Sequence, residues 1–570
     1  MKRIVRRVAP FTELGMHPLL QRVFAGRGVV HTDAITYNLN HLLPYASLKN
    51  MDAAVALIHQ HLKVQQKILV VGDFDADGAT STALLIRILK RFGAKNVDYL
   101  VPNRFDFGYG LSVELVEVAK TMKPALIITV DNGIANHAGV ASARAAGIDV
   151  LITDHHLAPD TLPDATVIVN PNQPGDTFPS KSLAGVGVIF YVMLALRQYL
   201  RAQGWFEEHQ LAIPNMAEYL DIVALGTVAD VVPLDKNNRI MVYQGLRRIR
   251  SGAGNPGIRA LLTVGKRDYR KITAQDLGFA VGPRLNAAGR MDDMSHGIAC
   301  LLTDHESIAL QYANDLDQFN QDRKRVEDDM QQQARDALKK LSLSQRLPLG
   351  ICLFDQQWHQ GVIGILAGRI KEKNHRPVII FAQERDGVIK GSARSIPGVH
   401  IRDILVEVDR RAVGLIHKFG GHAMAAGLSL AQVDFLRFRE LFNQVLMETV
   451  SPAVFESCIE TDGALMPEDF CLRTAELLEE AGPWGSCFPE PVFDGVFTVL
   501  DQQWLQGKHL KLMLLPEGGQ EAVDAIAFNM EAQSWSNGAS RVRVVYRPCV
   551  NEYQSWRKLQ LMVEQVECLA

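Results

Sequence analysis

The chain has 570 residues, enough for three or four domains at roughly 100–200 residues each. It is 47% hydrophobic and 22% charged, which fits neither a disordered chain nor a membrane-embedded one, and no apolar run approaches the roughly 20 residues of a membrane-spanning helix. Its 60 basic and 63 acidic residues leave a net charge of −3, which neither announces nor excludes a nucleic-acid partner, because phosphate contacts depend on local charge.

The first forty or so residues show no strong period. Met1 to Arg7 is basic, but no apolar stretch follows, so no secretory signal and a cytoplasmic location are expected. Residues 67–71 are a β-branched run followed by Gly72-Asp73, and residues 80–89 read as a helix. Similar runs at 125–130 and 149–153 end in Asp131-Asn132-Gly133 and Asp154-His155-His156. Short apolar runs alternating with helices predict a parallel sheet in an α/β domain, with ligands bound at the carboxyl ends of the strands. All three strand ends carry Asp, and Asp230 closes a further apolar run at 222–229.

Residues 304–341 carry one narrow apolar stripe (Tyr312, Leu316, Phe319, Val326, Met330, Leu338) and predict a long exposed helix bridging two domains. Thr303 and Glu306 have capping-box spacing at its start, and Arg323-Lys324-Arg325 reads as a solvated face. After Pro348 a second α/β unit is predicted, with strands at 349–354, 377–382 and 387–394, a helix at 361–370 and a small-residue cluster at 420–427. From about Val454 the strand-like runs 493–500, 509–515 and 541–546 predict a small antiparallel β-barrel. The seven cysteines are dispersed without a CxxC, which disfavours a disulfide framework or a structural zinc site and fits a reducing compartment.

The chemistry concentrates at the first set of strand ends. Asp73, Asp75 and Asp77 place three carboxylates in five residues, joined by Asp131, Asp154-His155-His156 and Asp230. Carboxylates gathered at one sheet edge repel, so either their pKa values rise or cations neutralise them. Oxygen ligands with one or two imidazoles favour Mg²⁺ or Mn²⁺, with Mn²⁺ the better match for His and Zn²⁺ less suited. Two such cations suit phosphate-ester hydrolysis, since they lower the pKa of a bound water and stabilise the attacking and leaving oxygens. Asp131, on the middle strand by sequence, could bridge them. A calcium loop of EF-hand type is the competing reading of DxDxDG, but Leu84 stands where its bidentate Glu is required. Any one of these aspartates alone could equally be a helix cap; their coincidence argues for a shared site.

In these residues the sequence resembles the DHH phosphoesterase family, and within it the single-strand-specific 5′→3′ exonucleases. The resemblance rests on residues 71–78, 102–110, 129–133, 153–156, 224–230, 282–290 and 420–427, and spans about residues 40 to 570. It implies a parallel-sheet DHH domain (46–303) after an N-terminal segment (1–45). A long connecting helix (304–345), a smaller α/β DHHA1 domain (346–450) and a C-terminal OB-fold barrel (451–570) would follow. It implies that Asp75, Asp77, Asp131, His155 and Asp230 hold two Mn²⁺ or Mg²⁺ ions, with Asp73 and His156 as close supports. His156 is alternatively a contact to the scissile phosphate, so Asp131, His156 and Asp73 are the candidate catalytic residues. Arg104, Tyr109, Arg284, Ser392 and Arg394 would line the substrate path and a 5′-phosphate pocket, with a salt bridge as the alternative role for Arg104 or Arg284. Asn286, Gly421 and His422 are further substrate-binding candidates, with tight helix–strand packing the alternative for Gly421 and a structural role the alternative for His422. Where many members carry His, this chain has Val71, which bears on metal preference. In the barrel, Trp504, Lys508, Lys511, Arg543, Tyr546, Arg547, Trp556, Arg557 and Lys558 interleave aromatic rings with positive charge; core packing is the readier role for any one of the aromatics, while the cluster as a whole suits single strands.

The function so implied is hydrolysis of single-stranded DNA from the 5′ end to 5′-mononucleotides, in recombination and repair. A single-strand-binding protein and a DNA helicase would be partners of a monomeric, non-membrane protein. Two rivals are a small-substrate phosphoesterase of the same superfamily, acting on short oligonucleotides or cyclic dinucleotides, and a non-catalytic replication scaffold. The additional C-terminal barrel argues against the first and the intact carboxylate set against the second.

Overall fold

The computed structural model describes residues 2–10, 12–102, 110–344, 347–385, 387–530, 535, 540–553 and 556–569, and the side chains of 339–344 and 553 are not described. Arg104 and Tyr109 lie outside the described residues. The chain divides into two units: Arg7–Asn320 with Asp462–Glu564 and Cys568–Ala570, and Met1–Arg6 with Gln321–Thr461 and Gln565–Glu567.

In the larger unit, five strands form a parallel sheet in the order Val97–Leu100, Ile68–Gly72, Leu126–Val130, Asp149–Thr153, Val167–Val169. The central strands Ile68–Gly72 and Leu126–Val130 are buried at every position. A sheet covered on both faces needs apolar residues on both, which is why these strands read as unbroken runs. The three Asp-bearing strand ends therefore stand side by side. The helix Ala76–Arg91 starts four residues before the predicted 80–89 because Asp75 caps it, accepting from Asp77 N and Gly78 N at 3.0 Å. The apolar run before Asp230 is the helix Leu220–Ala229, packed against the helices Ala76–Arg91, Gly185–Ala202 and Lys236–Arg250. Enclosed by helices, it needs no polar face.

The C-terminal strands close into a barrel in the order Phe493–Leu505, His509–Pro516, Val523–Ala527, Trp556–Leu569, Arg541–Tyr553. The barrel is not wholly antiparallel, as the sequence suggested: Val523–Ala527 runs parallel to Trp556–Leu569. The N-terminal stretch that lacked a pattern is held by distant partners. Phe24, on the helix Pro18–Ala25, stacks on Trp484 and Phe488 at 5.7 and 6.2 Å, and Arg27 forks onto Asp462 at 2.8 and 3.1 Å.

In the smaller unit the sheet order is Lys418–Gly421, Ala425–Ala431, Val388–Arg394, Val378–Arg385, Ile351–Asp355, and only the last pair is parallel. One core cluster, centred on Phe381, Phe438 and Phe442, covers one face; a second, with Trp358, Leu366 and Ile380, covers the other. The predicted long helix is Glu306–Ser344. Two details at it differ from expectation. Thr303 Oγ1 accepts from His305 N while Glu306 pairs with Arg259, so the side chains are not joined in a capping box. Arg323 is not solvated: it is buried and pairs with Glu327 at 2.6 Å, and Glu327 also holds Arg369. No described helix is long and apolar enough to cross a membrane.

Candidate functional site

Asp73, Asp75, Asp77, Asp131 and Asp230 fall in one cluster with His155 and His156. Ligand-type atoms of Asp73, Asp75 and Asp131 lie within 4.8 Å of one another, as do those of Asp77, His155 and Asp230, and those of Asp131, His155 and His156. Asp131 is common to two of these groups and sits at φ +62° in the turn after Leu126–Val130, an uncommon conformation for a residue other than glycine. Its backbone N–H donates to Thr153 O on the neighbouring strand at 3.1 Å.

Several carboxylates are fixed by backbone amides. Asp77 is buried, and its two oxygens accept from Gly185 N (2.6 Å) and Val186 N (3.0 Å), the start of the helix Gly185–Ala202. Asp154, the first residue of the DHH triplet, is the organiser of its own loop. It accepts from Ile134 N at 2.9 Å, His155 N at 2.7 Å, His156 N at 3.1 Å and His156 Nδ1 at 2.7 Å. Asn132 Nδ2 donates to Val71 O and Val130 O, joining the two central strand ends. Val71 itself belongs to the apolar core of the sheet.

The electrostatics favour cations. Burial, then the Asp75 charge, pushes Asp77 up from 3.8 to about 7, against the pull of its two backbone hydrogen bonds. Burial and the neighbouring carboxylates likewise raise Asp131 and Asp230 well above the usual range. Burial and the charge of His156 lower His155 to about 4, which keeps it neutral at pH 7 with a lone pair to donate. Burial alone would lower His156 too, but its hydrogen bond to Asp154 and the surrounding negative charge raise it to about 9. His155 Nε2 lies 3.0 Å from Asp131 Oδ1, 3.5 Å from Asp230 Oδ2 and 3.9 Å from Asp77 Oδ2, yet this buried atom forms no hydrogen bond. Five carboxylates around a neutral, unbonded imidazole nitrogen fit divalent cations with oxygen and nitrogen ligands, Mn²⁺ or Mg²⁺.

The segment 282–290 supports this cluster from behind. Asn286 Oδ1 accepts from Ala76 N at 2.8 Å, between Asp75 and Asp77. The contact is to the carboxylate loop, so Asn286 positions that loop. On the same helix, Gly289 meets Phe74 O so closely that a Cβ would lie 1.8 Å from it. Arg284 is engaged with Asp317 at 2.7–2.8 Å and with Ala280 O at 2.6 Å, the salt-bridge alternative left open for it.

The other candidate residues belong to the smaller unit. Arg394 NH1 donates to Ser392 Oγ at 3.2 Å, and both face the start of the helix Ile363–Asn374. There a Cβ on Gly364 would lie 2.9 Å from Arg394 NH2. A cavity of about 280 Å³ opens beside Arg394, Gly364 and Arg369. Gly421 adopts φ +141° at the end of Lys418–Gly421, and His422 N donates to Ala425 O. In the barrel, Tyr546 is completely buried against Phe497 and Phe470, so it is core and offers no stacking face. Trp556 is 80% exposed. Arg543, Arg547, Arg557 and Lys558 pair with Asp494, Glu490, Glu552 and Asp524 respectively.

Over 551 residues, 96% of each chain, the sequence is 52% identical to the single-stranded-DNA-specific exonuclease RecJ of Escherichia coli (strain K12). The chain belongs to the RecJ family. It is 48% identical to the RecJ of Haemophilus influenzae over 100% of this chain and 99% of that one. The family models for the DHH family N-terminal domain, the DHHA1 domain and the RecJ OB domain match residues 67–227, 347–448 and 461–565. Among solved structures, RecJ of Thermus thermophilus in complex with Mn²⁺ matches 99% of this chain and 79% of that chain, at 28% identity and a TM-score of 0.79. The same protein in complex with Mg²⁺ matches at 26% identity and 0.73, over 99% of this chain and 78% of that one. Mn²⁺ and Mg²⁺ are thus carried by RecJ relatives, and they are the ions this donor set suits.

Sequence reasoning did not single out Asp154 as the anchor of its loop, Gly185 and Val186 as the donors to Asp77, or Asn132 as the strand staple. Asp154 was visible in the motif, but nothing in the order of residues distinguishes a ligand from the residue that orients ligands. Gly185 and Val186 carry no chemical signal, because they act through backbone N–H groups.

Proposed function

We propose that the chain is a single-stranded-DNA-specific exonuclease that hydrolyses phosphodiester bonds with two divalent cations, proceeding from the 5′ end and releasing 5′-mononucleotides. The observation that carries this reading is the convergence of Asp73, Asp75, Asp77, Asp131, His155 and Asp230 into overlapping ligand groups, in a chain half identical to RecJ exonucleases. Asp77, His155 and Asp230 would hold one cation and Asp73, Asp75 and Asp131 the other, with Asp131 at the junction. The bound cations supply an activated water and neutralise charge on the attacking and leaving oxygens.

The chain's own residues do the rest. Gly185 N and Val186 N orient Asp77, and Asn286 fixes the loop between Asp75 and Asp77. The hydrogen bond from His156 Nδ1 to Asp154 orients the imidazole and favours its protonated form, which suits donation to a phosphate oxygen. Arg394 and Ser392, at a helix N-terminus, form a phosphate-binding group suited to the 5′ end. Arg104, Tyr109, Arg284, Gly421 and His422 belong to the substrate path on the strength of the family resemblance, and Trp504 and Trp556 offer the barrel's stacking faces. The family further suggests a monomer in the cytoplasm, working with a single-strand-binding protein and a helicase in recombination and repair.

The test is nucleotide release from 5′-labelled and 3′-labelled single strands with Mn²⁺, with duplex and a dinucleotide as comparators and Asp131→Ala alongside. Rapid release of the 5′ label from single strands, abolished by the substitution, is the expected result. Cleavage confined to the dinucleotide would overturn the proposal.

A further inference from the structure

A cavity of about 260 Å³ is lined by Val228 and Val231, which flank the metal-site residue Asp230 in the chain, and nothing in the catalytic reading uses it. Its walls include Val228, Val231, Phe279, Trp484 and the buried Thr227. Three observations suggest that it is built to receive something. Phe279 is 80% exposed, in a π-helical turn, Leu277–Val281, that packs against the helix ending just before Asp230. Such turns occur frequently at functional sites. Val231, the residue after Asp230, is 68% exposed and held at φ +61°, a conformation that is a genuine outlier for a β-branched residue. Thr227 Oγ1 is buried and has no hydrogen-bond partner.

The lining selects the ligand's chemistry. No Lys or Arg lines the cavity, and its one charged side chain is the carboxylate of Glu490, so a phosphate is disfavoured. An aromatic face, aliphatic walls and one unsatisfied hydroxyl suit a flat ring with a polar edge. The Trp484 side is rigid, since its ring stacks on Phe488 at 5.3 Å and its Nε1 donates to Leu478 O at 2.8 Å. We propose that this cavity is a nucleobase site: one base of the single-stranded substrate stacks on Phe279 and presents its edge to Thr227, which sets the strand's position relative to Asp230. The proposal rests on the exonuclease reading and adds a substrate subsite to it.

The experiment uses the full chain and short single strands carrying the fluorescent base 2-aminopurine at successive positions, first with Ca²⁺ as the sole divalent cation, then with Mn²⁺ to read nucleotide release. In the unaltered protein, fluorescence should be quenched on binding at one position near the scissile bond. Phe279→Ala should abolish that quench and weaken binding by roughly 5- to 150-fold, the range for loss of one stacked base, while Phe279→Tyr retains both. Nucleotide release without any quenched position, or a quench pattern in Phe279→Ala equal to that of the unaltered protein, would overturn the nucleobase site. A position-specific quench that depends on Phe279, without nucleotide release in Mn²⁺, would support the site and overturn the exonuclease reading instead. A strand that fails to bind under both conditions would overturn both.

Discussion

Gly185→Ala is the most informative single substitution at the carboxylate cluster. Gly185 opens the helix Gly185–Ala202 and donates its N–H to Asp77 at 2.6 Å. A Cβ at this position would lie 2.6 Å from Asp131 Cβ, 2.9 Å from its Cα and 3.0 Å from its Cγ. Carbon atoms pack at about 3.5–4.0 Å, so relief requires about 1 Å of movement. The obstructing atoms include backbone at a residue already at positive φ, so no flexible side-chain tip can swing aside. The helix start must separate from Asp131, carrying Asp77 with it. Alanine has about 1 kcal/mol better helix propensity than glycine, so helix formation itself is not the obstacle. A displacement of about 1 Å in a catalytic array costs on the order of 100-fold in rate. The expected outcome is a kcat for nucleotide release lower by about that factor, with weakened Mn²⁺ binding by calorimetry and an unchanged circular dichroism spectrum. Gly187→Ala, on the same helix, is the control. Its nearest neighbour is Leu183 Cδ2 at 3.2 Å, the mobile end of a side chain, and it should keep nearly full activity. If Gly185→Ala retained its kcat and its Mn²⁺ affinity, or if both variants were equally impaired, the close-approach argument would fail.

Three further outcomes are expected. In metal-free protein, burial and the Asp75 charge push Asp77 up from 3.8 to about 7, so keeping it ionised above that pH works against folding. A pKa raised on folding contributes stability that is complete below pH 3.8 and lost as the pH rises through about 7, so the gain in melting temperature on adding Mn²⁺ should be larger at pH 8 than at pH 6. An equal gain at both pH values would count against a carboxylate cation site. Asn286→Ala removes the acceptor for Ala76 N, so it should lower kcat with little change in the strand's KM; a KM effect alone would indicate that Asn286 touches substrate. Asp462→Ala strands the buried Arg27 guanidinium, whose side chain is 1% exposed, and should cost about 3–5 kcal/mol in denaturant unfolding, whereas a loss below ~1 kcal/mol would show the pair to be dispensable.

The rivals considered from sequence meet different features of the molecule. A degenerate scaffold has no need for a buried, mutually repelling carboxylate set, which without cations burdens the folded state. A small-substrate phosphoesterase has no need for the C-terminal barrel, which the RecJ OB domain model matches over residues 461–565.

What was legible in the sequence by itself was what short-range physics writes into it. The buried central strands require unbroken apolar runs, and their ends require turns, so the sequence alone places Asp73, Asp131 and Asp154 at the carboxyl edge of one sheet. The long helix was visible from its single apolar stripe. Other features depended on contacts between residues far apart in the chain. The run before Asp230 is apolar on every side, which suits a buried helix or a buried strand, and only the helices packed around it decide between them. The barrel strands Val523–Ala527 and Trp556–Leu569 went unrecognised because a half-buried strand shows its pattern clearly only when its partner is known. Composition alone leaves each barrel aromatic open between core and stacking face, and for Tyr546 its contacts with Phe497 and Phe470 decide for the core. Asn286 is 210 residues from the backbone amide it holds, and Gly185 reaches Asp77 through a backbone N–H that every residue except proline possesses. The chemical identity of the cluster is therefore local information, carried by residue type and spacing. Its geometry is tertiary, because the groups that aim each carboxylate come from segments brought beside it only by folding.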